Sequence, residues 1–321
     1  GRRSRTRTSG RLFPFAPGQR RSPGAPSQPR VPAEHAMIEL LAASQPIGDL
    51  EGVLFALRDS CGTRDGSIRL ETEFALNAFR DMKPLFLARE SGLAVGALCV
   101  FAPVKQEAEI SAAVLPDYRR RGVFRALLAE AERELARFGY SEELFVLDSR
   151  SGSGKEAASG LGATYEFTEY SLRYAGPCPS VPARGLEIRR VGLESLEDLV
   201  ELRCGEFGDS REETEAFERA TFASPHRRVY AAFLDGRMAG ACSLGYQGRE
   251  VSINGLVTAK ALRGRGYGQS LLAYIVRTLE SEGFGMILDV ESRNSDALHI
   301  YTKLGFLQER AAEYWRRPLP G

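Results

Sequence analysis

The sequence predicts a mixed α/β fold built twice over. Three observations carry that reading: the chain repeats itself at a spacing of 144 residues, a proline-rich break separates the copies, and each copy orders its elements alike. Strands come first, and a strand–helix–strand crossover follows.

The repeat rests on paired segments. Leu85–Gly92 falls on Val229–Gly236, two strand-like runs that each end at a turn glycine, and Gly96-Ala97 falls on Gly240-Ala241. Arg119, Arg121 and Gly122 fall on Arg263, Arg265 and Gly266; Leu127-Leu128-Ala129 falls on Leu271-Leu272-Ala273, and Gly139 on Gly283. Near Leu161-Gly162 and Leu304-Gly305 the spacing is 143, and Tyr170 and Tyr314 return it to 144. A period this long describes complete domains rather than solenoid units. Ala175–Pro182 holds three prolines in eight residues, a density that helix and sheet interiors both reject. The expected division is a leader over 1–36, a first domain over 38–175, a linker over 176–185 and a second domain over 186–321.

The second copy gives the element order. Leu186–Val191 reads as a strand, and Leu193–Phe207 and Glu212–Phe222 read as helices. Strands follow at 229–234, 238–246 and 250–258, parted by turn signals at Asp235-Gly236 and Gly248. A glycine-rich turn leads into a helix whose apolar Leu271, Leu272, Ile275 and Leu279 recur at helical spacing, closed by Gly283. Met286–Val290 is another strand, Asp296–Lys303 a short helix and Phe306–Leu319 the last strand region.

Composition excludes several function classes. The 321 residues are 43% hydrophobic and 26% charged, an ordinary soluble balance. The longest apolar stretch, Leu85–Val104, is broken by Arg89 and Glu90, so no membrane span is expected. The net charge of +1 conceals an asymmetry: residues 1–36 carry eight arginines against the single acid Glu34, and the remainder carries 35 basic against 41 acidic residues. An acidic body removes the electrostatic case for a nucleic-acid partner. The leader has six prolines and little to bury, so disorder is expected there. It reads as an upstream extension before Met37, with a transit peptide or a nucleic-acid or membrane tether as alternatives. Cys61, Cys99, Cys178, Cys204 and Cys242 are scattered and form no CxxC, which reads as the reduced thiols of a cytoplasmic protein. His35, His226 and His299 show no ligand spacing, so no metal is expected.

The chemistry centres on Arg263-Gly264-Arg265-Gly266-Tyr267-Gly268-Gln269, between the strand ending Leu256-Val257-Thr258 and the next helix. Glycines there let a ligand approach the backbone, and the free N–H groups and helix dipole favour a pyrophosphate, with Arg263 and Arg265 adding charge at the rim. A glycine-rich turn alone is common in strand–helix connections, and the Rossmann fingerprint is absent. Asn294 follows Arg263 by 31 residues at a strand end, and Tyr301 lies on the next short helix.

Here the sequence resembles the GNAT superfamily of N-acetyltransferases. Arg263, Gly266 and Gly268 match its (Q/R)xxGx(G/A) signature, and Asn294, Ala297, Tyr301, Leu304, Gly305 and Phe306 match its N..A...Y..LGF pattern. The resemblance implies two tandem GNAT-like acyl-CoA N-acyltransferase domains, acetyl-CoA as acyl donor, and a small-molecule or peptide amine as acceptor. It further implies that a splayed strand offers the backbone of Leu256, Val257 and Thr258 to pantetheine, that the Arg263–Gln269 loop holds the pyrophosphate with Asn294 on the cofactor side, and that Tyr301 protonates the departing thiolate. An amine of pKa about 10.4 is less than about 0.1% neutral at pH 7, so a carboxylate is needed to take its proton. Glu250, which opens the strand, is the candidate, and Asp289 and Glu291 lie on the adjoining strand. Plainer readings stand beside these: ordinary strand carboxylates, a packing tyrosine, and a helix N-cap for Asn294.

The first copy departs from the pattern. It keeps Arg119 and Gly122 but has Phe124 at the third glycine, and Tyr301 and Asn294 fall on Ala158 and Ser151. It therefore reads as a degenerate domain without the acid. Ser149–Glu156 imitates a phosphate loop, yet Ser149 and Glu156 replace the required glycine and hydroxyl. Glu206, Asp209, Glu212 and Glu213 lie where an amine pocket is expected, and read equally as a solvated face. Two functions from different classes follow: an N-acetyltransferase active in the second domain, and a CoA-binding sensor or scaffold without turnover.

Overall fold

Apolar runs bounded by tight turns form the strands. The computed structural model describes residues 37–45, 48–70, 74–204 and 210–320; the leader, Glu206 and Asp209 lie outside them. The N-terminal half runs β1 (Ile38–Ala43), α1 (Leu50–Asp65), β2 (Leu85–Glu90), β3 (Leu93–Phe101), β4 (Glu107–Val114), α2 (Val123–Arg137), β5 (Glu142–Asp148), α3 (Gly152–Gly160) and β6 (Thr164–Tyr174). The C-terminal half runs β7 (Glu187–Val191), α4 (Leu196–Arg203), α5 (Arg211–Ala223), β8 (Arg227–Leu234), β9 (Arg237–Gln247), β10 (Glu250–Thr258), α6 (Tyr267–Ser281), β11 (Gly285–Glu291), α7 (Ser295–Lys303) and β12 (Phe306–Pro318). Glycine closes both first hairpins for a conformational reason. Ser91-Gly92 and Asp235-Gly236 are two-residue loops with positive φ at both positions, the geometry that matches the twist of the flanking strands.

The strands form one twelve-stranded sheet in the order β1-β2-β3-β4-β5-β12-β6-β11-β10-β9-β8-β7. From either edge inward the order is the same, antiparallel up to a parallel pair, β4/β5 or β10/β11, that a helix crosses over. At the centre the halves interlock. β12 pairs with β5 and β6, and β6 pairs with β12 and β11, so each half's last strand lies against the other half's crossover strand. Asp148, Ala312, Glu169 and Glu291 stand in one row across these four strands. β5 and β11 reach that row from opposite directions.

Helices cover both faces, because alternate strand residues point to opposite sides. Leu98 packs with Leu127, Leu128 and Leu135 of α2, whereas Cys99 packs with Leu54, Leu57 and Cys61 of α1. In the other half α6 buries Leu271, Leu272, Ile275 and Leu279, and α4 buries Leu199 against β8 and β9.

Both crossover pairs come apart. β4 and β5 pair only from Glu107↔Glu142 to Ile110↔Phe145, although they continue to Val114 and Asp148. β10 and β11 pair only from Glu250↔Gly285 to Ile253↔Leu288, although they continue to Thr258 and Glu291. Each half therefore holds a wedge whose open end faces the central row.

Candidate active site

The two wedges differ in their backbone. β10 breaks register with β9 between Asn254 and Val257, and Gly255 in that bulge has φ +56°. A bulge withdraws peptide groups from the ladder and re-aims them, here beside the opening. β4 runs in unbroken register with β3.

A tight turn follows β10. Gly266 caps α6 in the left-handed region at φ 81°, and Gly264 sits at φ 72°. Gly268 lies close against β10: a Cβ there would stand 2.8 Å from Thr258 Oγ1. The turn thus hugs the end of β10, and the first-turn amides of Tyr267, Gly268 and Gln269 have no intrahelical acceptors. Arg263 turns inward: its Nε donates to the Thr258 carbonyl at 3.0 Å, as Arg119 Nε donates to the Val114 carbonyl at 2.9 Å in the other half. Arg265 is exposed, and the Arg184 guanidinium of the linker leans against Gly266.

Tyr301 lies on α7, 9% exposed, in the core that holds Leu271, Leu288 and Val290. Burial, with a smaller contribution from the nearby Cys242 thiol, pushes its phenol up to about 12. Its ring is buried, and its hydroxyl makes no hydrogen bond among the described residues. Asn294 is exposed and caps α7, its Oδ1 accepting from the Ala297 N–H at 3.1 Å.

The carboxylates separate. Glu250 stands at the closed end, where β10 and β11 are still paired, and accepts from Arg173 Nη1 at 2.5 Å. The structure does not bring it together with the open wedge. Asp289 and Glu291 are at the open end: Asp289 pairs with Arg69 at 3.0 Å and Glu291 with Arg293. Beside them is Glu169 of β6, which accepts from Arg69 at 2.9 Å and from the Tyr314 hydroxyl at 3.1 Å. Burial raises the Glu169 carboxyl, Arg69 opposes it, and the Asp289 charge adds to the rise. Glu169 and Arg69 escaped the sequence reading because they come from the other half, across an interlock that no spacing signals. Glu213 closes a capping box with Ser210 and accepts from the Lys105 N–H at 3.2 Å, and Glu212 pairs with the Lys105 ammonium at 3.6 Å.

The N-terminal wedge encloses a cavity of about 640 Å³, lined by Ile110, Val114, Phe124, Phe145, Leu147 and Ala158 among others. Arg120 takes φ +61° where the other half has Gly264. The imitation phosphate loop starts α3; Ser151 Oγ caps it by accepting from the Gly154 N–H, and the Lys155 ammonium donates to Glu313 at 2.6 Å.

This twofold arrangement coincides with a family match. Residues 53–155 and 196–306 both match the family model described as acetyltransferase (GNAT) family. The chain belongs to the GNAT family. Acetyl transfer in general is therefore its class of reaction.

Solved structures agree on the fold. A tandem GNAT protein from the clavulanic acid biosynthesis pathway is 20% identical, with TM-score 0.65 over 89% of this chain and 99% of that one. A GCN5-related N-acetyltransferase from Sphaerobacter thermophilus is 17% identical, with TM-score 0.67 over 88% and 96%. A GNAT-family acetyltransferase from Colwellia psychrerythraea is 14% identical, with TM-score 0.57 over 88% and 100%. No curated protein sequence matches this GNAT chain. Among its described residues no helix is long and apolar enough to cross a membrane, and no group of three or more His, Cys, Asp or Glu is placed to hold a metal.

Proposed function

We propose that this GNAT chain transfers the acetyl group of acetyl-CoA to a primary amine, and that the transfer occurs in its C-terminal half. One observation carries the reading: that half combines a bulged wedge with a buried tyrosine, Tyr301, whose hydroxyl has no hydrogen-bond partner among the described residues. The residues fit an acyl-CoA. The cradle at Gly268 is tight against Thr258, and the first-turn amides of α6 offer a place for pyrophosphate. The bulged backbone of Leu256, Val257 and Thr258 offers peptide groups to the pantetheine arm. Tyr301 donates a hydrogen bond to the departing thiolate, and the amine attacks the thioester directly. Asp289 and Glu291 stand at the open end to take the amine's proton, directly or through water. Glu250 is held by Arg173 away from the opening.

The halves act as domains over 38–175 and 186–321, joined by 176–185. Five cysteines outside any disulfide support a cytoplasmic setting. The test is acetylation of an amine panel with release of free CoA thiol, by the unaltered protein and by Gly268→Val. Turnover in the first and its loss in the second is expected; no turnover with any amine would sink the reading.

A second, non-catalytic role attaches to the N-terminal wedge, and its open cavity is the observation that favours it. With Ala158 in the tyrosine's place, that half holds CoA or a CoA thioester without turning it over. Titration with acetyl-CoA is then expected to show two sites per chain, and a single site would remove this role.

A further inference from the structure

A buried ion pair lies under the wedge of the C-terminal half, and no part of the mechanism above uses it. Arg203 ends α4 and Glu218 lies within α5, with side chains 4% and 2% exposed. Arg203 Nη1 donates to the Glu218 carboxylate at 2.5 Å and to Ser243 Oγ at 3.2 Å. Its Nη2 donates to the Gly255 carbonyl at 3.1 Å. Gly255 is the positive-φ residue of the β10 bulge, and a Cβ there would stand 3.5 Å from the guanidinium carbon. The arginine therefore grips a backbone carbonyl within the bulge.

The pair is poorly built for stability alone. Taking two charges out of water costs more than one good contact returns, and well-packed apolar residues usually do as well or better. Here Arg203 Nε and Glu218 Oε2 are buried and have no hydrogen-bond partner among the described residues. Unsatisfied buried polar atoms in a native protein call for an explanation.

The repeat supplies an internal control. Ser243 corresponds to Cys99 at the 144-residue spacing, and Cys99 lies in an apolar cluster with Leu57 and Cys61 of α1. In that half β4 has no bulge. Ion pair and bulge are present together in one half and replaced together by apolar packing and a regular ladder in the other.

We propose that Arg203, locked by Glu218, is a positioning residue that sets the β10 bulge and so aims the Leu256–Thr258 backbone into the acyl-CoA wedge. The proposal rests on the acyltransferase reading of the C-terminal half. It makes the α4–α5 layer a part of acyl-donor binding, although neither side chain touches the donor.

The test uses the full chain and two variants. Arg203→Met/Glu218→Met replaces the pair with apolar side chains and avoids leaving one buried charge alone. Arg203→Lys keeps the charge and removes the second donor. Amide hydrogen exchange is read without ligand at residues 254–258, and KM for acetyl-CoA, KM for the amine and kcat are read separately. In the double variant, exchange at 255–257 is expected to quicken by about tenfold or more and KM for acetyl-CoA to rise by about the same factor. The amine KM and exchange in β4 stay unchanged, and Arg203→Lys shows the same changes in smaller measure. Exchange and acetyl-CoA KM within about twofold of the unaltered protein, in either folded variant, would overturn the proposal. Should the unaltered protein fail to turn over acetyl-CoA, the acyltransferase reading falls, while the ligand-free exchange rates still decide whether Arg203 holds the bulge.

Discussion

Tyr301→Phe removes one oxygen and leaves the rest of the side chain in place, which makes its effect calculable. The phenol titrates at about 12, so it is fully protonated wherever the enzyme works. A CoA thiol resembles cysteine, at about 8.5, and handing it a whole proton from such a phenol is uphill by about 5 kcal/mol. Tyr301 therefore acts as a hydrogen-bond donor to the developing thiolate. Such a bond to a charged group is worth about 1.5–3 kcal/mol, or roughly 10- to 150-fold in kcat. The hydroxyl has no partner among the described residues, so its removal leaves no protein group unsatisfied and the melting temperature should hold. The assay is thiol release at saturating acetyl-CoA, alongside calorimetric affinity for the donor. The variant-to-wild-type ratio should be flat from about pH 6 to 9, because the donor form is lost only as pH rises through the phenol's own titration. A kcat within about twofold of wild type would refute the assignment, and so would a loss of rate matched by an equal loss of donor affinity.

Three further outcomes are expected. Gly268→Val places a branched side chain whose Cβ stands 2.8 Å from Thr258 Oγ1, and the displaced turn should weaken acetyl-CoA binding by roughly tenfold. Adding Thr258→Ala removes the obstructing atom and should restore most of the affinity; calorimetry on both variants checks this. Glu143 is fully buried, and burial, opposed by Arg317, raises its carboxyl to about 7. Its folded value lies above the unfolded value of about 4.3, so its contribution to stability is whole below that pH and is lost as pH rises through 7. Glu143→Gln should flatten this part of the unfolding free energy, as denaturation at about pH 5 and 8 will show. Ala158→Trp fills the N-terminal cavity and should remove one of two acetyl-CoA sites without lowering turnover, read by titration and thiol release on the same sample.

Much of this was legible in the sequence because local chemistry wrote it. Helical spacing placed Leu271, Leu272, Ile275 and Leu279 on one buried stripe, and the two-residue turns at Gly92 and Gly236 set the hairpins. The cradle at Gly266 and Gly268 was legible for the same reason: Gly266 takes a left-handed φ that favours glycine, and Gly268 leaves room only for a small residue beside Thr258. Contacts made at long range were not. Nothing in the spacing of Glu250 tells that β10 and β11 are still paired at its end, or that Arg173 of the other half holds it. Arg203 lies in the helix expected over Leu193–Phe207 with no spacing that singles it out, and its burial is visible only once α5 and the β10 bulge are in place. Glu213 looked like part of an acidic face and instead caps α5 and reaches Lys105.

The interlocked centre explains why a half without the acid is needed at all. β11 carries Asp289 and Glu291 to the open wedge, and its outer edge is covered by β6, a strand of the N-terminal half. Arg69, also from that half, holds Asp289 and Glu169 together across the same seam. These roles ask for backbone pairing and an ion-pair partner; they ask nothing of positions 124 and 158, where the first copy has lost its match to the motif. A strand edge left open is a site for pairing with the wrong chain. Residues 176–321 made alone should therefore either associate through β11 or fold β12 back onto it, and in both cases Asp289 loses Arg69. Acetylation should be poor from that fragment and should recover when residues 37–175 are co-expressed with it. Full activity from the fragment alone, as a monomer, would show that the N-terminal half contributes nothing to the wedge it borders.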